Sequence, residues 1–207
     1  MNGLHTLLTE TPGAVALLTI MLIASGVGLY WAPAFVERNL FRPHWLVPRR
    51  QWHTLVTSGF LHADLMHLLF NAFTFWAFGF GLERTIGTAF FVTLFFVGLF
   101  VSDAGTWLMH RHDPEYRSLG ASGAILAVLF ASIVYSPSSS IFILPIPVPI
   151  PAPLFAFGYL AYSVYASRQA RGRVNHDAHI AGAATGVAFV AVTDWPALAQ
   201  AFRSLTS

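Results

Sequence analysis

The sequence predicts an all-α membrane protein, a single domain over residues 1–207 built as a bundle of six transmembrane helices, and three observations carry that expectation. Of the 207 residues, 56% are hydrophobic and 10% charged, with a mean hydropathy of +0.62, whereas a soluble domain carries about 25% charged residues. The apolar residues fall in runs long enough to cross a bilayer, divided by short polar connections. All eleven basic residues are arginine, and they concentrate between the runs. The net charge of +2 is too small to suggest a nucleic-acid partner. The absence of cysteine excludes disulfides, thiol catalysis and thiolate metal ligands.

Taken in order, the first span covers about 14–32. No basic residue precedes it between Met1 and Pro12, so it reads as a permanent span and not as a cleaved signal peptide. The connection from Pro33 to about Phe60 mixes Arg38, Arg42, Arg49 and Arg50 with Trp45 and Trp52, a composition suited to the headgroup region. The second span, about 62–82, opens with His62, Asp64, His67 and Asn71 and closes on Gly81-Leu82-Glu83-Arg84, a charged stop. A third span covers about 89–109. A fourth runs from Ser122 to about Tyr135, headed by Gly120-Ala121-Ser122-Gly123. Five prolines from Pro145 to Pro153 alternate with apolar residues and predict an extended segment along the membrane surface. The fifth span covers about 154–166. The sixth, about 176–192, opens with His176-Asp177-Ala178-His179 and contains Gly182 and Gly186, a small-xxx-small pair that admits a close neighbouring helix.

With six spans, the starts of the second, fourth and sixth lie on one side of the membrane. His67 and Asn71, four apart and so on one helix face, Ser122 and His179 then share a depth within half the bilayer at ~1.5 Å per residue. Polar groups at that depth are costly and usually serve a purpose, although hydrogen bonding between helices for packing would also account for them. Ser122 stands between two glycines where loop becomes helix, beside amides that lack intrahelical partners. On its own this is also an ordinary helix start. Together, His179 is a candidate base for a Ser122 nucleophile. The Ser122 amide and the side chains of His67 and Asn71 are candidate donors to an oxyanion. Asp177, two residues before His179, points elsewhere on a helix and reads as an interfacial residue.

These motifs resemble those of the rhomboid intramembrane serine proteases. The resemblance rests on His62 with His67-x-x-x-Asn71, on Gly120-Ala121-Ser122-Gly123, on Ala178-His179-Ile180-Ala181-Gly182 with Gly186, and on Gly81-Leu82-Glu83-Arg84. It covers about residues 14–193. It implies a Ser122–His179 dyad without an aspartate and without metal or organic cofactor, cutting a peptide bond in or near the transmembrane segment of another membrane protein. It further implies that His67 and Asn71 line the oxyanion site, that His62 is a structural histidine nearby, and that Gly120, Gly123, Gly182 and Gly186 shape the surroundings. Substrates in the family are single-span proteins with a locally unstable helix, cut beside a small residue. The chain departs from its relatives at Trp52-His53, where many have Trp-Arg, and at Leu126, where some place an aromatic ring that stacks on the catalytic histidine.

Orientation sets two rules against each other. Nine arginines flank the proposed site, and Arg84 and Arg203 lie on the other side. The positive-inside rule puts the site face in the cytoplasm. The resemblance puts it at the outer side of a bacterial inner membrane, and that orientation is taken as the expectation. Two other readings remain: a rhomboid-like protein that binds transmembrane helices without cutting them, and a metal-binding or transport protein using His62, Asp64, His67, His176, Asp177 and His179.

Overall fold

The computed structural model describes residues 2–143, 146–169 and 175–206. In chain order, the described helices are α1 (Asn2–Glu10), α2 (Pro12–Tyr30), α3 (Pro33–Asn39), α4 (Thr54–Thr57), α5 (Leu65–Ile86), α6 (Thr88–His110) and α7 (Ser122–Tyr135). A hairpin follows, β1 (Ser140–Ile143) and β2 (Ile146–Pro151), and then α8 (Ala152–Gln169), α9 (His176–Thr193) and α10 (Trp195–Thr206). Each of the six apolar segments expected from the sequence is a helix: α2, α5, α6, α7, α8 and α9. Among the described residues, α2, α5 and α6 are long and apolar enough to cross a membrane by themselves. The α9–α10 pair meets that test only jointly, across a bend of 116°. Helix α7 has 14 residues, about 21 Å at ~1.5 Å per residue, against a hydrocarbon core of about 30 Å. A helix this short does not cross that core by itself, and Ser122 is its first residue.

Helix α7 is apolar all round, and Gly123–Ala131 are buried without interruption, as expected of a helix surrounded by others. Helices α5, α6 and α9 enclose it. The core between them is aromatic: Phe75 of α5 packs edge-on against Phe95 of α6 and lies beside Phe91. The approach of α9 to α7 is the closest. A Cβ on Gly182 would run into the Gly123 carbonyl, and one on Gly186 into the Ala127 carbonyl. On the opposite flank a Cβ on Gly98 of α6 would come 2.7 Å from the Ala127 Cβ. Small residues thus let three backbones meet where lipid provides no hydrophobic force between helices.

Helix ends are tied by side chains. Asp64 caps α5 by accepting from the His67 amide at 2.8 Å, and Asn175 caps α9 by accepting from Ala178 at 3.1 Å. Glu83, read from sequence as part of an interfacial stop, is instead buried. Its carboxylate accepts from the Gly13 and Ala14 amides at 2.9 and 2.6 Å and from Thr88 Oγ1 at 2.7 Å. A negative charge at the start of α2 meets amides without intrahelical partners and the positive end of the helix dipole. Arg84, its neighbour, stays exposed and pairs with Glu10 at 2.9 Å.

The proline segment is extended as expected, but as the second strand of a hairpin. Ser140 pairs with Pro151, Ile141 with Ile150 and Phe142 with Pro149. The Ala152 amide donates to the Ser139 carbonyl at 2.9 Å, which puts Pro149 and Pro151 at the alternate, non-bonded positions. There the missing N–H would have faced away from β1, so the outer edge of β2 is closed to further strands. Pro153 falls in the first turn of α8, where a missing donor is tolerated. Pro145, Arg171 and Arg173 lie outside the described residues. Helix α10, which the sequence reading did not expect, inserts Leu198 and Ala201 into the core.

Replacing Gly186 by valine should force α9 away from the Ala127 carbonyl and destabilise the fold by about 1–3 kcal/mol, the usual cost of overpacking. Thermal unfolding of the two proteins in the same detergent checks this, and equal midpoints would contradict the close approach.

Candidate functional site

The site is assembled at one end of the α7–α9 contact. The connection leading to Ser122 is held against the first connection by the Phe41–Ser118 bridge, with both N–H···O bonds at 2.9 Å, and by the Gly120 amide donating to the Ser58 carbonyl at 3.0 Å. Gly120 has a φ of +115°, in the region that disfavours side chains. A Cβ there would lie 2.7 Å from His67 Cε1 and 3.6 Å from Asn71 Nδ2. Glycine is therefore required both by the turn and by the space in front of those two side chains.

Ser122 is the first residue of α7 and His179 the fourth of α9. Ser122 Oγ and His179 Nε2 are 2.9 Å apart, a hydrogen bond that the glycine-mediated approach of the two helices makes possible. The other ring nitrogen, His179 Nδ1, is 2.8 Å from the hydroxyl of Tyr159 on α8. The rings of Tyr159 and His179 are inclined by 28° with centroids 6.2 Å apart. His176 meets His179 edge-on at 5.8 Å.

A second chain of hydrogen bonds orients the oxyanion candidates. Ser25 Oγ on α2 donates to the Phe60 carbonyl at 2.9 Å, so at 2.8 Å it accepts from His62 Nδ1. His62 Nε2 is then an acceptor, and Asn71 Nδ2 donates to it at 2.8 Å. The order of donors assigns the neutral Nδ1–H tautomer to buried His62 without a leftover proton. One Asn71 N–H is used in this way, which fixes the amide and leaves the other N–H free to serve a ligand. His67 rests edge-on against His62 at 4.8 Å and faces the open side of Gly120. The structure thus brings together Ser122, His179, His67, Asn71, His62, Gly120 and Gly123, while Gly182 and Gly186 lie along the helix contact that aligns them.

Asp177 points away from the dyad, as its position two residues before His179 predicts. Its carboxylate accepts from Ser167 Oγ at 2.7 Å and pairs with His110 Nε2 at 3.2 Å, joining the ends of α8, α6 and α9. His110 is stacked on Tyr116, centroids 3.6 Å apart. Burial, then the carboxylates of Asp177 and Asp113, push the Tyr116 phenol up to about 12. Asp177 does not reach the dyad. Among the described residues no three histidine or carboxylate side chains converge to hold an ion. His62, His67, His176 and His179 each have ring partners within the protein instead.

Tyr159 is the member of this constellation that sequence reasoning missed. It belongs to no local motif. Its one trace in the sequence is indirect: Leu126 leaves the histidine without the aromatic ring that some relatives supply from the serine's own helix. In the first connection, Arg49 lies over the Trp45 ring at 3.7 Å and Trp45 Nε1 donates to the Pro114 carbonyl at 3.2 Å. These contacts anchor the loop in which His53 departs from the expected arginine.

Fold and site together define a predominantly helical integral membrane protein with a serine–histidine pair at the head of its central helix. The chain belongs to the rhomboid family, matching the Rhomboid domain over residues 49–195, a range that contains His62, His67, Asn71, Ser122, Tyr159 and His179. It is 35% identical over 82 residues to YdcA of Bacillus subtilis (strain 168), covering 40% of each chain. It is 29% identical over 94 residues to the rhomboid protease GluP of the same organism, covering 45% of this chain and 18% of that one. To the mitochondrial presenilin-associated rhomboid-like protein of Homo sapiens it is 29% identical over 146 residues, 66% of this chain and 36% of that one. The chain spans less than half the length of each of these relatives.

His62→Ala should leave Asn71 and Ser25 without their shared partner and cost about 1–3 kcal/mol of stability, the penalty of stranding buried polar groups. A thermal midpoint equal to that of the parent would show that the chain of bonds from Phe60 to Asn71 does not hold this end of the bundle.

Proposed function

We propose that the protein is an intramembrane serine endopeptidase that cleaves a peptide bond in or near the transmembrane segment of membrane-protein substrates, with Ser122 as nucleophile and His179 as base. The observation that carries this reading is the 2.9 Å bond between Ser122 Oγ and His179 Nε2, beside an Asn71 N–H that has no partner among the described residues. Family membership and the GluP match support the reaction class.

In this reading His179 Nε2 takes the Ser122 proton as Oγ attacks the scissile carbonyl carbon, and a C–O bond forms while the carbonyl becomes an oxyanion. The oxyanion accepts from the first amides of α7 and from the side chains of Asn71 and His67. Collapse breaks the C–N bond, and the imidazolium gives its proton to the leaving amine. Water then attacks the acyl ester with His179 again as base, releasing the second product and restoring Ser122. Charge changes are confined to one histidine and one transient oxyanion, as suits a site surrounded by apolar helices. The residues themselves supply nucleophile, base and oxyanion donors, so the reaction calls for no cofactor.

The proposed setting is a bacterial plasma membrane with the site face outward. Arg38, Arg42, Arg49, Arg50, Arg111, Arg117 and Arg168 then ring that face at headgroup level. Substrates are proposed to be single-span proteins, which present one helix to the bundle from the lipid.

The purified chain in lipid vesicles should cut a single-span test substrate, and Ser122→Ala and His179→Ala should not. Cutting by Ser122→Ala would remove the serine from the reaction. No cutting by the folded parent across several substrates would favour a helix-binding protein. Asn71→Ala should lower kcat by about 10²–10³-fold, the usual effect of losing one oxyanion donor, with KM little changed. An unchanged kcat would exclude Asn71 from that role.

A further inference from the structure

The geometry points to Tyr159 as the positioning residue of the dyad: a phenol on α8 that holds the Nδ1 proton of His179 and so aims the Nε2 lone pair at Ser122. This rests on the dyad reading above. The argument begins from the balance of donors. For Ser122 to lose its proton to Nε2, that nitrogen must be unprotonated at rest, so the proton of the neutral ring must be on Nδ1. A lone neutral imidazole does not enforce that choice. In proteases with a third acidic member, a carboxylate accepting from Nδ1–H enforces it. Here the one acidic neighbour in sequence, Asp177, is occupied by Ser167 and His110. The atom 2.8 Å from His179 Nδ1 is the hydroxyl oxygen of Tyr159.

A phenol oxygen in that position accepts from Nδ1–H and keeps its own proton to donate. The fully buried Ser163 hydroxyl, which has no hydrogen-bond partner of its own among the described residues, stands one turn along the same face of α8. Unlike a carboxylate, the phenol adds no charge to an apolar environment. It also holds the ring by its face: Tyr159 is itself fixed between Phe155, stacked at 5.7 Å, and Phe130 of α7 at 6.3 Å. Leu126 provides no ring at the position where some relatives have one, so orientation of the base has passed from the serine's own helix to α8. A shift of α8 away from α9 would release the Nδ1 proton, so the base is correctly oriented only when α8 is packed in place.

Tyr159→Phe removes the hydroxyl and keeps the ring, whereas Tyr159→Leu removes both. We expect Tyr159→Phe to lower kcat about tenfold, the scale of one hydrogen bond, with KM and the thermal midpoint unchanged. Tyr159→Leu should lower kcat further. A second readout does not depend on turnover. The ¹⁵N resonances of the His179 ring in labelled protein, assigned by their loss in His179→Ala, should report a single Nδ1–H tautomer in the parent and a mixture in Tyr159→Phe. Parent-like kcat together with a parent-like tautomer in Tyr159→Phe would overturn the proposal, as would a change confined to KM. If the parent cuts nothing, the protease reading fails, while the tautomer comparison still decides what Tyr159 does to His179.

Discussion

The structure depends on the backbone contact between α7 and α9. Gly182 and Gly186 present bare Cα atoms to the carbonyls of Gly123 and Ala127, so the helix axes come closer than any side chain would permit. In lipid the apolar faces of two helices gain little from leaving the solvent, and van der Waals contact over small residues provides the attraction. That contact also sets the reach between Ser122 and His179, because each is within one turn of the helix start on the facing helix. Seen from α7, the same logic holds on its other flank, where Gly98 of α6 faces Ala124 and Ala127. The central helix is gripped by small residues on both sides and has few ways to turn.

Around this contact, buried polarity is organised in closed chains. Phe60, Ser25, His62 and Asn71 pass hydrogen bonds in one direction, which uses every donor of Ser25 and His62 and one of the two on Asn71. Glu83 does the equivalent at the other end of the bundle with the first amides of α2. A buried polar group without partners costs more than an apolar one, and a fully satisfied chain both recovers that cost and permits a single arrangement. This explains how a protein with so few charged residues can keep several histidines and an asparagine at membrane depth.

The helical segments were legible in the sequence because a bilayer imposes a simple demand: backbone groups in lipid must be bonded within the segment, and apolar runs show where that occurs. The candidate site was legible in part. His67, Asn71, Ser122 and His179 stand out as polar groups in apolar runs, and the alternation of helix direction puts them at one end. The hairpin strand was seen only as extended, since alternating prolines forbid a helix but do not name a pairing partner. Helices α1, α3 and α10 escaped because short amphipathic segments at chain ends and in loops have neither length nor continuous hydropathy to mark them.

What the sequence by itself determined is which residues share a helix, a face and a depth, because those follow from a period of 3.6 residues and a fixed rise per residue. That suffices for the bundle, for the glycine stripe of α9 and for the serine and histidine at matching heights. Only the tertiary structure decided which faces meet. Tyr159 reaches His179 from a helix whose sequence carries no motif, Glu83 turns inward to cap α2 seventy residues earlier in the chain, and Asp177 joins His110 and Ser167. Each of these is a contact across helices, set by rotation and tilt about axes that local periodicity does not encode.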